Sequence, residues 1–139
     1  PPLAILCAWH YLGEPQMMVN VSRYGIEGID MGDRFIPTDE SGQLLINYMG
    51  PAKTFPHISI ADILSGNFPR GTFKDKIVLV GATATGIYDL RNTPFSPTFP
   101  GVEIHANVVD NVLTGNFISK PRWSRIYDLF AIVILGALV

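Results

Sequence analysis

FKDKIVLVGATATGIYDLRNTPFSPTFPGVEIHANVVDNVLTGNFI, residues 73–118, is the stretch on which the reading of this chain turns. Residues 77–80 are a short, β-branched apolar run that stops at Gly81. A run of that kind reads as a strand buried on both faces. A loop rich in Thr, Gly and Pro follows, and then a helix that starts at Gly101 and is stopped by Gly115. Buried strand, polar loop and returning helix are the parts from which α/β ligand pockets are made. The expected fold class is α/β, with a central, mostly parallel sheet and flanking helices.

Working outward, the helix after Gly101 is amphipathic. With successive residues about 100° apart, Glu103, Asn107, Asp110, Asn111 and Thr114 share one polar arc. Ile104, Ala106, Val108, Val109, Val112 and Leu113 fill the other side. The arc is expected to face water. His105 falls in the middle of the apolar side and so points at the sheet or into a pocket. A buried imidazole needs a partner for its N–H. Near a helix N-terminus its protonated form is disfavoured. Two readings stay open: a core histidine bonded to a carbonyl, or a ligand-contacting, switching histidine.

Upstream, Pro1 and Pro2 suit a first helical turn, and residues 3–12 read as a buried helix ended by Gly13. Residues 17–21 and 44–48 are plausible strands. Residues 23–33, glycine-rich with spaced apolar positions, suggest short strands and turns. Ser59 is a good N-cap for a short helix stopped by Gly66, with Asp62 three residues on.

The chain has 139 residues, enough for one domain. Its formal charge is −2 and its basic residues are scattered, which excludes the basic stripe that nucleic acid requires. Its one cysteine, Cys7, has no internal partner and sits in an apolar segment as a small core residue. Residues 126–139 are apolar apart from Asp128, and the sequence stops inside that run. About 20 apolar residues are needed to cross a bilayer. Residues 122–139 are therefore expected to be the truncated start of a transmembrane helix, with Lys120, Arg122, Trp123, Arg125 and Tyr127 at the interface. The alternative is an apolar core helix.

Chemistry has few places to reside. The run from Gly81 to Gly86 lacks the Lys and Ser/Thr of a phosphate loop, and Thr83 stands where a dinucleotide fingerprint needs glycine. There is no nucleophile elbow, and His10, His57 and His105 are not at metal-ligand spacing. No catalytic residue, metal or cofactor is expected. What remains is a loop at a strand's C-terminal end, where α/β ligands bind. The candidate ligand-binding residues are Thr83, Thr85, Asp89, Thr93, His105 and Asn107, for an unidentified small molecule. Asn107 is the weaker member because it lies on the polar arc. Asp89 is equally read as a turn-stabilising side chain or a partner of Arg91.

KIVLVGATA at residues 76–84, Asp89, Thr93 with Pro94, and PGVEIHANVVDNVL at residues 100–113 with Gly115 together resemble the CHASE domain of the second type. This is the cyclase- and histidine-kinase-associated sensory extracellular module. Ile36-Pro37, Gly42, residues 45–48, Gly50-Pro51, Phe55-Pro56 and residues 62–64 are similar to the same family. The resemblance covers most of residues 1–121, and GVEIHAN is its most specific part. It implies the C-terminal part of an extracytoplasmic sensory domain, with the sheet incomplete at the N-terminus. It also implies a place on the periplasmic side of a bacterial inner membrane, followed by membrane helices and a cytoplasmic output such as an adenylate/guanylate cyclase or histidine kinase. The expected function is thus the input module of a transmembrane receptor, membrane-anchored by its C-terminal helix and working as a homodimer. Two other readings stand beside it: a small-molecule-modifying α/β enzyme using His105 and Asp89 as acid and base, and a dimerisation scaffold that binds nothing.

Overall fold

The fold is described from a computed structural model, which describes residues 1–83, 89–119 and 124–138. In chain order the elements are helix α1 (Leu3–Tyr11), strands β1 (Met17–Ser22), β2 (Gly25–Met31) and β3 (Arg34–Pro37), and helix α2 (Ile60–Ser65). They continue with strands β4 (Leu90–Arg91) and β5 (Phe99–Pro100), helix α3 (Gly101–Thr114) and helix α4 (Ser124–Leu138).

The first three strands form an antiparallel meander in the order β1-β2-β3. Met17 pairs with Met31 and Ile29 with Ile36, and a register shift at Asn20/Val21 bends the edge strand. The strands are joined by tight turns, and Gly32 supplies the left-handed backbone (φ 63°) that the second one needs. The core lies between this meander, α1 and the C-terminal half of α3. It is built from Ile5, Ala8, Met31, Ile36 and Val112, with Trp9, Leu12, Leu44, Val108 and Phe117 packed around it. Each fully buried aliphatic side chain of this kind contributes about 1.5–3 kcal/mol. Arg34 ties the layers together. Its Nη1 donates to the carbonyls of Leu113 (2.7 Å) and Val112 (3.2 Å), placing a cation on the negative end of α3.

The predicted helix ends hold. Gly115 closes α3 in the left-handed conformation (φ 71°), and its N–H bonds the Asn111 carbonyl. Ser59 caps α2 by accepting from the Ala61 N–H, and Gly66 ends that helix. α1 is buried along one face only: Ala4, Ile5 and Ala8 are inside, whereas Leu3 and Tyr11 are exposed. Cys7 is half-buried.

The mixed α/β class stands, but the mostly parallel central sheet does not. All strand pairs among the described residues are antiparallel, in one three-stranded and one two-stranded sheet. Residues 77–80, expected as the central strand, and residues 44–48, expected as a further strand, carry no ladder among the described residues. The reason is local. Residues 44–53 spend backbone hydrogen bonds on side chains of α3 instead of on a neighbouring strand. Residues 77–80 are covered on one side only: Ile77 and Leu79 are half-buried, while Val78 and Val80 are 50% and 88% exposed.

α4 confirms the helical reading of the C-terminal run. Tyr127, Leu129, Phe130 and residues 132–135 are all exposed on it. No helix among the described residues is long and apolar enough to cross a membrane. Lys120, Arg122 and Trp123 lie outside the described residues.

Candidate functional site

Helix α3 is gripped from two sides. On one side stand Glu103, Asn107 and Asn111, spaced by four residues and so in one row. Their expected exposure is wrong: all three are at most 2% exposed. Opposite them runs the extended segment of residues 44–53. Asn111 Oδ1 accepts from the Asn47 N–H (2.9 Å), and its Nδ2 donates to the Asn47 carbonyl (2.9 Å). Asn107 Oδ1 accepts from the Met49 N–H (2.8 Å), and its Nδ2 donates to the Glu103 carbonyl (2.7 Å). Glu103 Oε1 accepts from the Lys53 N–H (2.6 Å).

The row is thus a side-chain ladder standing in for a neighbouring strand. Geometry explains the fit. Four helical residues rise about 6 Å, and two strand residues rise about 6.6 Å. Asn111 and Asn107 therefore reach alternate residues, 47 and 49. The next register position is Pro51, which has no N–H to offer. There the chain turns, with Lys53 at φ 71°, and the ladder resumes at Glu103.

The other side of α3 faces residues 76–81. Gly81 lies against the Val102 side chain so closely that a Cβ has no room. Farther along, Ala106, Val109, Asp110 and Leu113 of α3, with Ile77 and Leu79, line a groove of about 280 Å³ that Tyr11, Phe55 and Lys76 complete. Its wall is mostly apolar, and Lys76, Asp110 and Tyr11 are the polar residues among its lining.

The residues singled out from sequence are divided by the structure. Thr83 is exposed at the end of the segment that lines the groove. Thr85 lies outside the described residues. Asp89 sits at the N-terminus of α3: its carbonyl accepts from the Gly101 N–H (2.9 Å), and its carboxylate fills the space where a Cβ of residue 101 would stand. An acidic group there complements the positive end of the helix. Arg91 Nε stands 4.0 Å from the same carboxylate. Thr93 closes the loop between β4 and β5, its Oγ1 accepting from the Ser96 N–H (3.2 Å) and donating to the Ser96 carbonyl (3.1 Å). His105, one turn on from Gly101, is half-buried, and its ring makes no hydrogen bond with another described residue. Asn107 is committed to Met49 and Glu103. Asp89 and His105 thus stand at the first turns of α3, whereas Asn107 belongs to the ladder.

Sequence reasoning missed the groove residues Tyr11, Phe55, Lys76 and Asp110, and it missed the ladder. The ladder left one signal. Asparagine is a poor helix former, and two of them at a spacing of four with a glutamate four residues before ask for a tertiary partner.

The profile of the CHASE2 domain matches residues 1–139, the whole chain. This chain belongs to the CHASE2 domain family. CHASE2 domains are extracellular sensory domains associated with signalling receptors, and they are not catalytic modules. No curated protein and no solved structure gives a significant match.

Proposed function

We propose that this CHASE2 domain is the extracytoplasmic input module of a bacterial transmembrane receptor, and that it reports occupancy of the groove beside α3 to a cytoplasmic output. The carrying observation is that one helix, α3, forms both the wall of the groove and the core contact through Val112. A small molecule with an apolar body and one charged end fits the groove, its end meeting Lys76 or Asp110. Thr83, Asp89 and His105 supply a polar margin at the N-terminal end of the same helix. Thr93 belongs to the loop next to it, and Thr85, outside the described residues, is proposed with them from the sequence alone. On this reading a displacement of α3 passes along the chain that follows it to α4, the start of a membrane helix. Such coupling requires that the ligand bind the two positions of α3 with different affinity. The output is an adenylate/guanylate cyclase or a histidine kinase, the receptor is a homodimer, and the domain lies on the periplasmic side of the inner membrane.

The experiment is mass spectrometry of small molecules released on denaturing the purified chain, repeated for Ala106→Trp. Ala106 lines the groove, and an indole there fills it. A defined compound from the unaltered chain that is missing from the folded variant supports the groove as its site. An empty spectrum from the folded unaltered chain favours a dimerisation scaffold that binds nothing.

A further inference from the structure

α3 contributes Ala106, Val109, Asp110 and Leu113 to the groove. Offsets of three, four and seven residues put these four in one stripe along the helix. Asp110 is the charged member of that stripe. The segment that follows Asp75 contributes Lys76, Ile77 and Leu79, with Lys76 as the charged member. The groove thus takes one acidic residue from its helical wall and one basic residue from the segment beside it. Apart from Tyr11, the rest of its lining is apolar.

Neither charge is spent inside the protein. Lys76 and Asp110 form no ion pair with each other or with another described residue. The side-chain hydrogen bond that reaches Asp110 goes to its carbonyl, which accepts from Thr114 Oγ1 (2.7 Å), and leaves the carboxylate unused. Asp110 is half-buried and Lys76 exposed. A molecule that fills the groove takes water from the carboxylate, and a charge that loses water without gaining a partner weakens binding.

Charge complementarity then selects the occupant. A neutral apolar molecule leaves both charges without a partner. An anion answers Lys76 and repels Asp110, and a cation does the reverse. A molecule with both signs on one end answers both, while its apolar remainder lies on Ile77, Leu79, Val109 and Leu113. The volume of the groove, about 280 Å³, is at the small end of ligand sites and suits a single amino acid better than a peptide.

Resting on the reading of the groove as a ligand site, we propose that its occupant is a zwitterion: a free α-amino acid with an apolar side chain, its ammonium paired with Asp110 and its carboxylate with Lys76. Each wall supplies one of the two charges. The ligand therefore ties α3 to residues 76–79, which a molecule of one charge does not do.

The test is nuclear magnetic resonance of the chain in detergent, titrated separately with three probes of one shape. They are L-leucine, isopentylamine, which lacks the carboxylate, and isocaproate, which lacks the ammonium. Methyl signals of Ala106, Val109 and Leu113 report the groove. L-leucine is expected to bind about tenfold more tightly than either analogue. Asp110→Asn brings L-leucine down to the level of isocaproate, and Lys76→Met brings it down to the level of isopentylamine. Lys76 is exposed, so its variant serves if the Asp110 variant does not fold. Binding of one analogue as tight as that of L-leucine overturns the zwitterion and leaves the groove a ligand site. Binding of L-leucine that neither substitution weakens overturns it as well. So does the absence of any shift with L-leucine, and the compound released from the folded chain then decides the receptor reading separately.

Discussion

Asn111 holds Asn47 by both of its backbone polar groups, with two hydrogen bonds of 2.9 Å that run across 64 positions of sequence. This is the contact a neighbouring strand would make, made by one side chain. Replacing Asn111 by Leu keeps the branched four-atom side chain and removes both bonds. With Asn111 1% exposed, the loss is expected to cost about 1–3 kcal/mol. Chemical denaturation of the variant measures it. A midpoint unchanged from the parent chain would show that the ladder is incidental to stability.

Arg34 carries a second expectation. Its guanidinium bonds the Val112 and Leu113 carbonyls at the end of α3. Arg34→Met keeps the aliphatic stem and loses the charge. The expected cost is about 1–2 kcal/mol, with raised amide exchange in the last turn of α3 and an unchanged first turn. Exchange that rises evenly along the helix would assign Arg34 a packing role only.

Tyr48 gives a pH dependence. Its ring lies edge-on to Phe99 at 5.5 Å and to Phe95 at 6.2 Å, and burial raises its phenol above the ordinary value of 10.0. The folded chain thus holds this proton more tightly than the unfolded chain. The stabilisation is fully present below pH 10.0 and fades as pH rises through the higher folded value. Phenolate absorbance is expected to show one tyrosine ionising late, and Tyr48→Phe removes that component and its share of the alkaline loss of stability. A titration in which all tyrosines of the folded chain ionise together at the ordinary value contradicts this.

Much of the local structure was readable before any coordinates. Ser59, Gly66 and Gly115 mark helix ends because capping is a property of a residue and its immediate neighbours. The glycine-rich residues 23–33 read correctly as strands and turns. Two larger readings failed for one physical reason. A helical projection says that Glu103, Asn107 and Asn111 share a face, but not whether water or a backbone lies opposite. An apolar run says that residues 77–80 are extended, but not that Val78 and Val80 meet solvent. In both cases the missing fact is the partner, which lies tens of residues away. The site was legible to the same degree. Thr83, Asp89 and His105 were grouped by proximity to the start of α3, whereas the groove needs Tyr11 and Phe55, which no spacing connects to it.

The ladder reads only main-chain atoms of Asn47, Met49 and Lys53. The ladder itself therefore leaves Met49 free to vary, proline excepted, whereas the Asn47 Nδ2 also donates to the Asn116 carbonyl (3.5 Å) and Lys53 holds a left-handed φ of 71°. Met49 is 55% exposed with its N–H bound to Asn107. A fluorophore or spin label attached there would ride on α3 without breaking the attachment it reports. The chain thus contains a ready mounting point for watching its own central helix move.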